Sequence, residues 1–409
     1  MKENEWKKLI ILLFGGWLAI WVYRSMLTPV YEEIQMTIGT QSNASMGMIA
    51  SFYFLGYTLM QIPSGIMVHR LGQKRVIIPG FILLAVGTLV TAASGSLTSM
   101  YMGSILAGTG CGTFYGAAFS LTAEYVPTEK KGLSAAVVNS GCSVGLVTGL
   151  LGSGLFVKRL GFPWQVMGLG AFGLTILMTL LFIFLLKDGA KEPDIRRSHG
   201  RTGHGTGRKS FLSIMSKQLA ACSILYFATC YVYYLIITWL PDYLASERGL
   251  KGGILGVVSA LICITAVPGG LYFARLSDQR PGSKGSIVIF LEMMSVLIVT
   301  AAMMAPNTTV LSVFLLLYGF LGKISVDPVL ISCISDFSDT SDLALALGIF
   351  NCCGMSGSII APILTGYIKD LSGSGTWGFY IGAMLLAAAS VCYMCINRTI
   401  KIEFRRKNG

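Results

Sequence analysis

The sequence predicts an all-α integral membrane protein with twelve transmembrane helices in two pseudo-symmetric six-helix bundles. Three observations carry that prediction. Of 409 residues, 54% are hydrophobic and only 12% charged, about half the charged share of a soluble domain. Apolar runs recur along the whole chain, each with the ~20 residues that carry a helix across ~30 Å of hydrocarbon. Short motifs also repeat between the two halves at nearly constant offsets. Alternating ten-residue segments of the barrel kind are absent, so the backbone of each span is satisfied within a helix.

The spans fall at roughly 9–29, 45–68, 76–94, 99–123, 133–157, 163–187, 217–245, 252–276, 286–305, 309–334, 342–368 and 376–397. The first follows "MKENEWKK"; its length and the lack of an A-x-A-like site mark a retained span, not a cleaved signal peptide. After the sixth comes "KDGAKEPDIRRSHGRTGHGTGRK" (187–209), rich in Gly, Arg and Lys. It reads as a flexible tether, with regulatory or lipid contact as the lesser alternative. The organisation is therefore an N-terminal bundle (1–187), a cytoplasmic linker (188–216) and a C-terminal bundle (217–409).

The two bundles repeat one plan. "IPSGIMVHRL" (Ile62–Leu71) matches "VPGGLYFARL" (Val267–Leu276) at an offset of 205, pairing Pro63 with Pro268 and Arg70 with Arg275. At an offset of 212, Asn139 pairs with Asn351 and Gly145 with Gly357. Parallel six-helix repeats imply a pseudo-two-fold axis along the membrane normal and a site near mid-membrane between the halves. Gly141, Gly145 and Gly149 line one face of the fifth span, a surface for close helix packing that rocking halves could also use.

Net charge is +12, yet its placement argues against a nucleic-acid partner. Of the 31 Lys and Arg, 24 fall in the segments that are inner if the N-terminus is inside, and 5 in the outer loops. That asymmetry places both termini in the cytoplasm and suits a plasma (inner) membrane, with some attraction to anionic lipid. All ten cysteines lie in spans and none in an outer loop, so no disulfide framework is expected. Cys392 and Cys395 form a CxxC with no partner cluster, and His69, His199 and His204 sit in inner loops. No cofactor motif, metal cluster or catalytic set emerges, which argues against an enzyme. A sensor is disfavoured too, since the linker is the longest soluble stretch.

"GIMVHRLGQKR" (Gly65–Arg75) resembles the signature loop of the major facilitator superfamily, Gly-x-x-x-Asp-Arg-x-Gly-Arg/Lys-Arg/Lys. Gly65, Arg70, Gly72, Lys74 and Arg75 fit, and His69 stands where the family has Asp. The resemblance implies a cytoplasmic gate of Gly65, Arg70, Gly72 and Arg75, with Glu124 as acceptor for Arg70. "YRSMLTPV", "YTLMQIPSG", "ITWLPDYL" and "LGIFNCCGMSGSIIAPILTGYIKDLSG" together resemble the anion:cation symporter family. That likeness implies transport of organic anions such as hexuronates and sugar acids. It also implies that Arg24 binds the substrate carboxylate, and it adds weight to Tyr57, Gln61 and Asn351. The carboxylates that proton-coupled members carry in the first and fourth helices are replaced by Tyr23 and Tyr115.

Only two of the cations lie inside spans, Arg24 and Lys323. Arg24 cannot shed its proton, and its planar fork matches a carboxylate. The alternative is a side chain snorkelling outward from the later half of an outward-running helix. Lys323 and Asp327 lie one turn apart on one face. They are either a self-satisfied structural pair or a second cation for the anion with its counter-ion, Asp327 being the proton-coupling candidate. Pro328 is expected to open the helix there. Glu292, a few residues into its span, is expected to snorkel, which leaves the intramembrane sum positive and in favour of an anion.

Tyr53, Tyr57 and Gln61 share one helix face, Tyr231 and Tyr234 another, and Asn139 and Asn351 matched places; each could bind substrate or join helices. The expectation is a secondary active transporter moving a small organic anion (carboxylate or sugar acid) by alternating access, as a monomer, with protons the leading coupling ion. Anion exchange, uniport, or a carrier of neutral or amphiphilic solutes with purely structural charges remain the alternatives.

Overall fold

The computed structural model describes residues 3–127, 131–186, 216–337 and 343–408, so nearly all of the expected linker lies outside the described residues. The first half comprises α1 (Glu3–Met26), α2 (Tyr31–Ile38), α3 (Asn43–Leu71), α4 (Lys74–Ala92), α5 (Leu97–Gly112), α6 (Phe114–Tyr125), α7 (Lys131–Gly152) and α8 (Gln165–Leu185). The second comprises α9 (Lys217–Ser246), α10 (Gly253–Gln279), α11 (Lys284–Met303), α12 (Thr308–Leu321), α13 (Lys323–Phe337), α14 (Leu343–Ser372) and α15 (Thr376–Asn408).

Among the described residues, ten stretches are long and apolar enough to cross a bilayer unaided. α3 and the α5–α6 pair complete twelve passes. The first is diluted by the polar residues it carries, and the second is interrupted at Thr113. The outward faces of the peripheral helices present Leu169, Leu177, Leu180 and Phe184 on α8 and Phe290 and Leu297 on α11, all exposed. Such faces fit acyl chains rather than water.

Two departures from straight helices position the interior. The first span does not end at Met26: it turns through a 3-10 step at Thr28–Val30, where Pro29 lacks an N–H, and continues as α2 to Ile38. The fourth and tenth spans are broken at matching places, Thr113 and Gly322, which repeats the internal symmetry at the level of backbone. The tenth was expected to open at Pro328. Instead α13 runs continuously through Pro328, and the break lies six residues earlier, at Gly322.

The halves meet tightly at the face away from the chain termini. The Asp370 carboxylate on α14 accepts from Asn43 N (2.8 Å), Asn43 Nδ2 (2.8 Å) and Ala44 N (2.9 Å), capping the start of α3 across the seam. Gly47 and Gly366 let the α3 and α14 backbones touch, and Gly256 does the same for α10 against Leu150. Tyr31 and Trp239 add an edge-to-face contact at 6.0 Å. At the termini face the corresponding surfaces are apart, with Ile62, Ile66, Val137, Leu271 and Tyr272 exposed. The Gly141, Gly145 and Gly149 stripe is not a sliding surface between halves. Each of these glycines packs on the α1 backbone or side chains within the first half.

Candidate functional site

Arg24 sits at the centre of the first span rather than near its end, because the chain continues as a membrane segment to Ile38. Snorkelling is therefore not its role. Its guanidinium carbon lies 4.1 Å from the Trp21 ring centroid, 4.3 Å from Phe54, 4.6 Å from Tyr234 and 5.7 Å from Tyr53. Ring faces attract a cation electrostatically, with about 2 kcal/mol or more per contact when desolvated. They supply no hydrogen-bond acceptor in the guanidinium plane. Nε and Nη2, the side-on edge that grips a carboxylate bidentately, are buried without a partner. Tyr57, one turn beyond Tyr53 on α3, also lies within electrostatic reach.

Lys323 is more fully buried than the half-buried Arg24, at 7% exposure, and is differently furnished. It opens α13, at the positive end of that helix's dipole, a poor place for a cation. Asp327 one turn on offsets this, its Oδ2 lying 2.5 Å from Nζ. Tyr226 takes a further bond at 3.3 Å, and the Tyr226 and Tyr233 rings flank the ammonium at 5.1 and 5.5 Å. Lys323 is thus paired in this conformation, not a free second cation. Asp327 keeps 24% of its side chain exposed, and its Oδ1 has no partner.

Glu292 departs from expectation. It does not snorkel: it is 1% exposed and accepts a short hydrogen bond from Thr229 of α9. Its place inside the second half, behind α9, brings the intramembrane carboxylates to two. The whole-membrane charge sum then no longer argues for an anion; the local vacancy around Arg24 does. Sequence reasoning excluded Glu292 because it starts close to a membrane face, whereas its side chain turns inward to Thr229 of α9.

The other expected residues divide into several groups. Tyr53 and Tyr234 stand in the cage around Arg24. Gln61 and Asn351 bond each other at 2.5 Å, Nδ2 of Asn351 donating, and so close the α3–α14 seam from both halves. Asn139, the repeat mate of Asn351, is exposed and takes only a weak contact from Cys142 Sγ at 3.7 Å. Tyr231 points away from the centre, its ring packed against Gly382 of α15. In the loop between α3 and α4, Gly72 adopts φ +88 and caps α3. Arg70 and Arg75 are exposed, and Gly65 meets open space. Glu124 accepts from Gln73 Nε2 at 2.9 Å instead of pairing with Arg70, because Gln73 at the head of α4 reaches α6 while Arg70 stays exposed.

Trp21 and Phe54 were missed by the sequence reading. Trp21 lies three residues before Arg24, one turn along the same face, and that spacing was the available signal.

This arrangement of twelve spans has a sequence counterpart. The profile of the Major Facilitator Superfamily matches residues 9–338. The chain belongs to the Major Facilitator Superfamily. Within that superfamily, "Probable galactarate/D-glucarate transporter GarP" of Escherichia coli (strain K12) is 25% identical over 91% of this chain and 89% of its own. "Hexuronate transporter" of Bacillus subtilis (strain 168) is 23% identical over 96% and 94%. Among solved structures, a bacterial homolog of the human lysosomal transporter Spinster, titled inward-facing and occupied, superposes with a TM-score of 0.79 at 14% identity over 98% of both chains. That likeness is one of fold.

Proposed function

We propose that this protein is a secondary active transporter moving a small organic anion, a carboxylate or sugar acid, across the plasma membrane by alternating access. Both termini are then cytoplasmic, the sealed face is outer, and the open face looks inward. One observation carries the reading: a desolvated guanidinium whose carboxylate-binding edge is vacant. A charge in that state costs about 2.5–3.5 kcal/mol even on lenient insertion scales, and a substrate carboxylate offsets that cost. The relatives named above support the ligand class, although one is named for diacids and the other for monoacids. Arg24 is the carboxylate clamp, with Tyr53, Tyr57 and Tyr234 around it. Gln61 and Asn351 act as the seam that must part for the outer path to open. Asp327, with no carboxylate at Tyr23 or Tyr115, is the residue to carry a coupling proton, and the protein works as a monomer.

The test is ligand-dependent thermal stabilisation of the purified protein, followed by uptake into proteoliposomes. A ligand at 100 times its Kd adds about 2.7 kcal/mol to apparent stability. Stabilisation by carboxylates that is lost in Arg24→Gln supports the reading. Stabilisation by neutral solutes alone, unchanged in Arg24→Gln, overturns it. Uptake driven by an inward proton gradient and abolished in Asp327→Asn supports the coupling role; uptake driven only by counter-anion inside the vesicle overturns that role.

A further inference from the structure

Three carboxyls in the spans of the second half are each matched by an ammonium. Asp242 has Lys369 at 2.5 Å, Asp327 has Lys323 at 2.5 Å, and Asp336 has Lys284 at 2.7 Å. Glu292 is the exception among the described residues. It is 1% exposed, and it meets a hydroxyl, that of Thr229, where the others meet a cation. An ionised carboxylate is costly in such a place, whereas a neutral carboxylic acid is satisfied by one good partner.

The contact with Thr229 serves both forms. Thr229 Oγ1 bonds with Oε1 of Glu292 and also lies 2.9 Å from the Leu225 carbonyl oxygen. A hydroxyl has one proton to give and two lone pairs to receive with. When Glu292 is ionised, the hydroxyl proton points to Oε1, and the Leu225 carbonyl keeps the backbone bond of its own helical turn. When Glu292 is protonated, the carboxyl donates to Oγ1 and the hydroxyl proton turns back to Leu225. The two forms differ by one proton and one hydroxyl rotation, with no heavy atom displaced.

The surrounding charges bear on which form prevails. From α9 come Thr229 and Cys230, from α12 Tyr318, and from α13 Lys323 and Asp327. α10 and α15 also touch α11 but bring no titratable group within reach of Glu292. Lys323 and Asp327 cancel each other, so an ionised Glu292 leaves this cluster net negative, and one proton restores neutrality. Asp327 keeps 24% of its side chain exposed, which links the cluster to the open space between the halves.

We infer that Glu292 is a proton-binding site, which gains and loses one proton against Thr229 while Lys323 and Asp327 set its occupancy. It adds a second carboxyl to the coupling role given above to Asp327. That use rests on the proton-driven transport proposed there; the proton site itself does not.

The experiment is a pH titration of the full chain in nanodiscs by infrared difference spectroscopy, read at the carbonyl stretch of protonated carboxyls. It spans about pH 5 to 9, where buried carboxyls are known to titrate. Wild type is expected to show a band that disappears as pH rises and is missing from Glu292→Gln. In Asp327→Asn the band should survive but disappear at lower pH, because a neighbouring anion has gone while Lys323 remains. A merely structural acid would show neither behaviour. Spectra of wild type and Glu292→Gln that match at every pH overturn the inference, as does a band that Asp327→Asn removes and Glu292→Gln keeps. An unshifted titration in Asp327→Asn overturns the link to the Lys323 pair. Should Glu292→Gln not fold, heavy-carbon labelling of glutamate in the wild type decides: a titrating band that ignores the label overturns the site. If the titration behaves as expected while uptake ignores the proton gradient, the proton site stands and only its use in coupling falls.

Discussion

Arg24 and Lys323 are both cations held at mid-membrane among tyrosines, yet they are opposite kinds of site. Lys323 has its counter-ion one helical turn away at 2.5 Å. Arg24 has four rings, no carboxylate, and a vacant bidentate edge. The difference teaches that burial of a charge alone does not mark a binding site. A self-neutralised pair lowers its own cost, whereas a caged guanidinium stays expensive until something anionic arrives.

The sharpest way to break this comparison is to remove each cation in turn. Arg24→Gln should cost about 2–5 kcal/mol of carboxylate affinity, the usual loss when one partner of a desolvated charge pair is truncated. The empty protein should be no less stable, because an unpaired charge has gone. Titration calorimetry beside thermal unfolding of the unliganded protein checks both halves of that statement. Lys323→Gln should do the reverse, destabilising the empty protein by about 2–3 kcal/mol because it strands Asp327. That value lies at or below the usual range for a broken buried pair, since Asp327 retains some solvent contact. The double variant Lys323→Gln/Asp327→Asn should recover most of that loss, with a coupling free energy of about 1–3 kcal/mol in a double-mutant cycle. No recovery would mean that the two groups do not act as a pair.

Smaller effects sharpen the picture of the second half. Thr229→Val removes the donor to Glu292 and leaves a buried carboxylate oxygen unsatisfied, at about 1–2 kcal/mol of stability. Chemical unfolding of the two proteins side by side reads this. Asp370→Ala at the seam should cost only about 1 kcal/mol, since the carboxylate is exposed and its bonds compete with water. Its effect should instead appear as faster labelling of a cysteine introduced at Ala44. Unchanged labelling would show that the backbone contacts at Gly47 and Gly366 hold the seam without it.

Much of the fold was legible because membranes constrain sequence harshly. Runs of apolar residues, the skewed placement of Lys and Arg, and the repeat linking Pro63 with Pro268 and Arg70 with Arg275 all follow from solvent and topology. The helix breaks were less legible. Pro328 looked like the opening of the tenth span, but a proline near the start of a helix forfeits only one backbone bond, and the chain broke at Gly322 instead. The sequence places Tyr231 and Tyr234 on one helix face, and the structure separates them. The three-residue spacing hides 60° of rotation about the helix, enough to send Tyr231 to Gly382 while Tyr234 meets Arg24.

The sequence by itself determined that this is a polytopic helical protein of two repeated halves, and that Arg24, Lys323 and Asp327 are costly inside a membrane. Such facts depend on composition and periodicity, which act locally along the chain. The tertiary structure alone decided which charges are spent. Whether a buried charge meets a partner, a ring face or a vacancy depends on helices far apart in sequence, such as α1 with α9, which bring Tyr234 to Arg24, and α11 with α9, which bring Thr229 to Glu292. Their register is set by packing, and packing leaves no periodic trace in either partner alone.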